Sequence, residues 1–291
     1  MTVSCVRHPN RATGLRCVRC DRPACPECLR EASVGYQCVD CVAEGRRTQR
    51  VATTVAGARQ RSRDLVVPTL IALNVLVFVV TVVQAGSLGG NAAAPLFMQW
   101  ALAPLTVADG QLWRLVTSGF LHFGPLHLAF NMLALWIIGR DLETVLGRGR
   151  FVTVYLVSLL GGSATVFLLE NMRSLTAGAS GAVYGLMGGL VVVLVRLRRS
   201  PGAVLGIIAI NVVITFTLPG ISIYGHLGGL VFGTAATVAM VYAPPPRRVP
   251  VQVGAVVALI ALVGAMILVS DLRYGPVSCT GVTDVVCSVP R

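Results

Sequence analysis

Long apolar runs constrain this chain more than any other feature of it. Crossing the hydrocarbon core of a bilayer takes roughly 20 predominantly apolar residues, and runs of that order recur between residues 65 and 270. Seven spans fit, at 65–84, 125–146, 151–169, 180–195, 203–218, 222–242 and 251–270. Of the 291 residues 55% are hydrophobic and only 12% are charged, against roughly 25% charged in a soluble domain. Residues 1–64, by contrast, are rich in Arg and Cys. The expected class is an all-α polytopic membrane protein with a small polar head. No apolar core follows Met1, so the first span, rather than a cleaved signal peptide, is expected to direct insertion.

Positive charge sets the orientation of such a chain. Arg59, Arg61 and Arg63 precede the first span, and Arg140, Arg148 and Arg150 lie between the second and third. Arg196, Arg198 and Arg199 follow the fourth, and Arg247 and Arg248 follow the sixth. The opposite loops carry little beyond Arg114 and Arg173. These residues predict a plasma-membrane protein with a cytoplasmic amino terminus and an external carboxyl terminus. All 24 basic residues are Arg, which we read as the base composition of a G+C-rich bacterial gene. No nucleic-acid partner is expected. Seven Cys fall in the cytoplasmic head, whereas Cys279 and Cys287 fall in the external tail, where an oxidising compartment admits a disulfide between them.

The head contains four pairs with two intervening residues each: Cys5 and His8, Cys17 and Cys20, Cys25 and Cys28, Cys38 and Cys41. That spacing lets both side chains of a turn face one ion, and eight such ligands suffice for two tetrahedral zinc sites. A segment this short cannot bury enough apolar surface to fold without such a staple. The pattern resembles a B-box-type zinc finger, in which ligand pairs interleave. The resemblance implies one zinc on Cys5, His8, Cys25 and Cys28 and another on Cys17, Cys20, Cys38 and Cys41. This head ends on a Cys pair where two His are common in that finger, and spacing alone also allows sequential pairing. With every coordination position filled, the head reads as a docking or regulatory module for a cytoplasmic protein partner.

Polar residues inside spans are costly and point to function. Of the four His, His122, His127 and His226 map near the outer ends of spans two and six, and Ser180 opens span four on the same side. Asn131 follows His127 by one turn, so the two share a helix face. A Ser becomes a nucleophile beside a base, most often His, and acyl transfer needs hydrogen-bond donors for the developing oxyanion. Ser180 stands in Gly178-Ala179-Ser180-Gly181 at a helix start, where backbone N–H groups lack partners. Gly181, Gly185, Gly188 and Gly189 on span four face the prospect of Gly225, Gly229 and Gly233 on span six. Such small-residue ridges let helices approach closely in lipid.

Leu121-His122-Phe123-Gly124-Pro125-Leu126-His127-Leu128-Ala129-Phe130-Asn131, Gly178-Ala179-Ser180-Gly181-Ala182-Val183-Tyr184-Gly185 and Gly225-His226-Leu227-Gly228-Gly229 together resemble the rhomboid family, as does the Trp113-Arg114 pair. The resemblance covers about residues 65–242 and implies a six-helix core, to which the last span adds a seventh. It implies an intramembrane serine endopeptidase that hydrolyses peptide bonds in transmembrane protein substrates. Ser180 would be nucleophile, His226 general base, and His127, Asn131 and the Ser180 N–H the oxyanion hole, with Tyr184 orienting the His226 ring. His122, Trp113 and Arg114 would be structural, and span five a lateral gate. The family often has Ala where Gly225 stands.

Between Thr144 and Ser270 the only acidic residue is Glu170, so a dyad is expected and no catalytic metal. The expected organisation is a zinc-binding domain at 1–42, an Arg-rich linker at 43–64, the core at 65–242, and the seventh span with its tail at 243–291. A catalytically silent relative that binds membrane clients is the alternative, although proteins of that kind usually lack the Ser or the His.

Overall fold

The structure is a computed structural model, and it describes residues 3–48, 53–58, 65–217, 221–281 and 286–288. Residues 49–52 and 59–64 of the expected linker, with Arg59, Arg61 and Arg63, and the end of the fifth expected span at Leu218 lie outside the described residues. The chain divides into two compact units, Met1–Ala52 and Thr53–Arg291.

In the first unit, β1 (Leu29–Glu31) and β2 (Tyr36–Cys38) form an antiparallel hairpin that runs into α1 (Val39–Thr48). Its buried centre is almost entirely sulfur. Among the described residues Cys5, Cys17, Cys25, Cys28, Cys38 and Cys41 are joined there only by Ala24 and Leu29.

The second unit is helical. After α2 (Val66–Ala85) come three short helices, α3 (Pro95–Trp100), α4 (Pro104–Ala108) and α5 (Arg114–Thr117). Then follow α6 (Gly124–Leu146), α7 (Arg148–Leu169), α8 (Ser180–Arg196), α9 (Gly202–Thr217), α10 (Ile223–Tyr242) and α11 (Arg248–Tyr274). A small hairpin, β3 (Ser278–Thr280) with β4 (Val286–Ser288), closes the described chain, and Cys279 is disulfide-bonded to Cys287 across it.

Each of the seven expected spans coincides with one long helix to within a few residues. α2, α7, α10 and α11, the last with its lead-in from Pro245, are long and apolar enough to cross a bilayer. α6 reaches that apolarity only together with the segment Arg114–Phe120, bent 94° from it, because it carries His127, Asn131, Arg140, Asp141 and Glu143. α8 and α9, with 17 and 16 residues, rise only about 25 Å at 1.5 Å per residue. That is less than the roughly 30 Å hydrocarbon core, so one end of α8 lies within the thickness of the membrane.

Packing is tightest where α10 meets α8 and α7. A Cβ on Gly229 would collide with the carbonyl of Gly181, and one on Gly233 with the Cα of Gly185. One on Gly162 of α7 would sit 2.7 Å from the Gly225 oxygen. The three backbones are therefore in direct contact, as small residues allow in lipid. Buried polar groups tie the other helices to this centre. The Glu143 carboxylate accepts the N–H groups of Leu65, Val66 and Val67 at 2.9, 3.0 and 3.0 Å, which the first turn of α2 cannot satisfy within itself. Arg114 donates to the carbonyls of Met98 and Ala101 at 2.7 and 2.6 Å and to Gln111 at 2.7 Å. It thus pins the α3–α5 loop from within, a structural role, while Trp113 stays half exposed.

Candidate active site

The close contact of α8 and α10 brings Ser180, at the start of α8, to His226, in the first turn of α10. Ser180 Oγ lies 2.8 Å from His226 Nε2. The His226 side chain is 9% exposed and Ser180 is half-buried, so the hydroxyl keeps an approach from outside while the imidazole is shielded. Tyr184, one turn along α8, stacks on the imidazole with ring centroids 4.1 Å apart and planes inclined by 17°.

The other imidazole nitrogen meets a residue that reading the sequence did not single out. His226 Nδ1 is 2.8 Å from Thr215 Oγ1 on α9. Thr215 also lies 2.8 Å from the Asn211 carbonyl and 3.1 Å from the Tyr184 hydroxyl. A threonine hydroxyl has one proton and two lone pairs. If that proton goes to Asn211, a carbonyl that can only accept, then Oγ1 accepts from both Nδ1–H and the tyrosine O–H. The neutral imidazole then carries its proton on Nδ1, and its Nε2 lone pair faces Ser180. The available signal was a polar pair, Asn211 and Thr215, spaced by one turn in the mostly apolar α9.

On the other side of Ser180, His127 Nδ1 accepts the Phe123 N–H at 3.2 Å, so the neutral ring carries its proton on Nε2. That nitrogen abuts Gly178, where a Cβ would sit 2.9 Å from Nε2 and 3.6 Å from Ser180 Oγ. With φ at +134° and this little room, the position suits only glycine. Asn131 Nδ2 donates to the His127 carbonyl at 2.9 Å, which uses one of its two protons. The His127 ring therefore stands beside Gly178 and Ser180 Oγ, with Asn131 one turn further along α6. His122 is fully buried, edge-on to His127 at 5.1 Å, with no hydrogen-bond partner for its ring among the described residues. Its carbonyl accepts from Asn91 at 2.9 Å.

Glu170 does not reach the imidazole contacts just described. Its carboxylate accepts the Ser222 hydroxyl at 2.9 Å, and Ser222 in turn accepts the Gly225 N–H at 3.1 Å. Glu170 therefore braces the cap of the helix that carries His226.

In the head, the eight ligand candidates fall into two groups, Cys5, His8, Cys25 and Cys28, and Cys17, Cys20, Cys38 and Cys41, each with its ligand atoms within 4.8 Å of one another. This is the interleaved grouping. His8 Nδ1 lies 3.3 and 3.4 Å from the sulfurs of Cys25 and Cys28, and Cys20 Sγ lies 3.8 Å from Cys38 Sγ. A tetrahedron with metal–sulfur bonds near 2.3 Å has edges of about 3.8 Å, so the donor sets fit a metal ion. The Cys25 backbone N–H leads the groups that hold the Cys5 thiol down to about 6. Burial raises Cys17, but the N–H groups of Cys38, Cys20 and Arg19 outweigh it and bring that thiol to about 6. Burial first, then the neighbouring Cys25, pushes Cys28 up to about 11. Sulfurs that crowd this closely resist ionising together, a conflict that a central divalent cation removes.

The sequence profile of the rhomboid domain family matches residues 109–243. The rhomboid protease GluP of Bacillus subtilis (strain 168) is 35% identical over 192 residues, which cover 64% of this chain and 37% of GluP. YdcA of the same strain, also named for the rhomboid proteases, is 35% identical over 134 residues, 44% of this chain and 67% of YdcA. The mitochondrial RHOMBOID-like protein 6 of Arabidopsis thaliana is 31% identical over 202 residues, 57% of this chain and 65% of its own. The chain thus spans little more than a third of GluP and about two thirds of the other two.

Proposed function

The chain belongs to the rhomboid family, and from that premise we propose that it is an intramembrane serine endopeptidase that cleaves transmembrane protein substrates. The observation that carries this reading is the 2.8 Å contact between Ser180 Oγ and His226 Nε2. As Ser180 Oγ attacks the scissile carbonyl carbon, its proton passes to Nε2. The carbonyl oxygen becomes an oxyanion that accepts from the Ser180 N–H, His127 Nε2–H and Asn131 Nδ2–H. The imidazolium then protonates the leaving amine as the C–N bond breaks, which leaves an ester on Ser180. His226 next takes a proton from water, whose oxygen attacks that ester, and Ser180 leaves with the proton returned from Nε2. Thr215 Oγ1 holds the Nδ1 proton throughout, and the Tyr184 face stabilises the transient cation. In the silent alternative, this hydrogen-bonded set around Ser180 would have no task.

Two variants separate this dyad from a triad and from a bare pair. Glu170→Gln keeps an oxygen for Ser222 and should turn over near the wild-type rate; a ten-thousandfold loss, about that of neutralising a triad acid, would make Glu170 a catalytic partner. Thr215→Val leaves the buried Nδ1–H without an acceptor, at about 1–3 kcal/mol. We expect kcat to fall roughly 10- to 100-fold with KM unmoved, and Thr215→Ser to restore it. An unchanged kcat in Thr215→Val would remove Thr215 from the account.

The head's two clusters support two structural zinc ions, one on Cys5, His8, Cys25 and Cys28 and one on Cys17, Cys20, Cys38 and Cys41. Zinc there would supply cross-linking only. With every ligand position filled, the head serves as a docking or regulatory module for a cytoplasmic partner. The arginines at the ends of α6, α8 and α10 favour that side as cytoplasmic, with Ser180 towards the opposite face of the plasma membrane.

A further inference from the structure

The end of the helical bundle remote from Ser180 contains a cavity of about 640 Å³ between α7, α10 and α11. Arg148 and Arg150, in the first turn of α7, stand at its rim, and the buried Gln252, one turn into α11, lines it. Val249, Val253, Val256 and Val257 of α11 also line it, and their spacing puts them on one helical face.

The rim is rich in positive charge. Arg150 Nε donates to Gln252 Oε1 at 2.9 Å, and Gln252 Nε2 donates to the Met240 carbonyl at 2.8 Å, so the Arg150 guanidinium is held in place at the mouth. Arg248 packs against Gly57 beside the rim. Its Nε is buried without a hydrogen-bond partner among the described residues, and it is near enough to Arg150 for their charges to repel. Among the described residues Glu143 is the one carboxylate lining the cavity, and it is occupied by the N–H groups of Leu65, Val66 and Val67, with Arg148 Nε 4.0 Å away. The start of α7 adds the positive end of a 22-residue helix, a favourable place for a phosphate. Two guanidinium groups, Arg148 and Arg150, therefore line a cavity with an apolar valine wall, and Arg248 lies close beside them.

We propose that this cavity binds one anionic phospholipid, its phosphate at Arg148, Arg150 and Arg248 and an acyl chain along the valine face of α11. A free phosphate would satisfy the rim alone and leave the wall unused. The proposed orientation puts the cavity in the cytoplasmic leaflet, where anionic lipids are enriched and basic pockets between helices bind their headgroups. The site is independent of the Ser180–His226 chemistry.

Native mass spectrometry of the purified full-length protein tests this with three probes: phosphatidylglycerol, phosphatidylcholine of the same acyl chains, and glycerol 3-phosphate. One phosphatidylglycerol per chain should be retained at about tenfold higher occupancy than phosphatidylcholine, with glycerol 3-phosphate not retained. The combined Arg148→Gln, Arg150→Gln, Arg248→Gln variant should fall to the phosphatidylcholine level. Val256→Trp, which fills the wall and keeps every arginine, should also lose the lipid. Arg196→Gln, Arg198→Gln, Arg199→Gln, which removes charge from the same end outside the cavity, should bind as wild type does. Equal retention of the two lipids, retention that survives both cavity variants, an equal loss in the Arg196 set, or equal capture of glycerol 3-phosphate would each overturn the proposal.

Discussion

Ser180→Ala, His226→Ala and the double variant are expected to cleave a transmembrane substrate at one common floor, at least about ten-thousandfold below wild type. The reason is that the two side chains act as a unit. Without His226 the Ser180 proton has no acceptor, because the 2.8 Å contact to Nε2 is the hydrogen bond that its hydroxyl makes to a base. Without Ser180 the imidazole, though still stacked on Tyr184 and held by Thr215, has no nucleophile to activate. Removing the second partner after the first should therefore cost little more. Losses that instead multiply would mean that each residue acts alone, most simply as a structural group. Neither substitution should unfold the bundle, since the backbone contact of α8 with α10 is made by glycines at 181, 185, 229 and 233.

Stripping metal from the head should unfold it and leave the bundle intact, the largest stability effect we expect. Its buried interior consists of six cysteines with Ala24 and Leu29, so without ions there is almost no apolar core. Structural zinc in finger-sized domains contributes about 10–16 kcal/mol at neutral pH. Metal analysis of the purified protein should return two zinc ions per chain, and one or none would contradict the assignment. After chelation, limited proteolysis should cut within residues 3–48 and spare the helices, with protection restored by added zinc. Acid should release the metal too, because protons compete with the ion for its ligand atoms.

Much of this was legible in the chain before its fold was known, for reasons that lie in particular residues. The seven helices follow from apolar runs, because a bilayer demands length and apolarity of each span independently. The grouping of Cys5 and His8 with Cys25 and Cys28, rather than with Cys17 and Cys20, followed from resemblance to an interleaved finger, and the clusters agree with it. His127 and Asn131 stood out because polar residues one turn apart in a membrane helix are conspicuous. What escaped was long-range pairing. Thr215 stands one turn after Asn211, but nothing local tells what that pair faces, and only the return of α10 beside α9 puts its hydroxyl on His226. Glu143 sits near a span end, where charge is common, and nothing local reveals that it caps α2 some 77 residues earlier in the chain. Glu170 stood out as a lone acid; that it braces α10 through Ser222 depends on how two loops meet.

The most direct measurement of the central claim is covalent labelling of the purified protein with a fluorophosphonate probe, which phosphonylates an activated serine. The account predicts one label per wild-type chain, mapped to Ser180 by peptide mass spectrometry. Ser180→Ala should take none, and His226→Ala should be slowed to near background. Wild type that does not label, or Ser180→Ala that labels as wild type does, would contradict it.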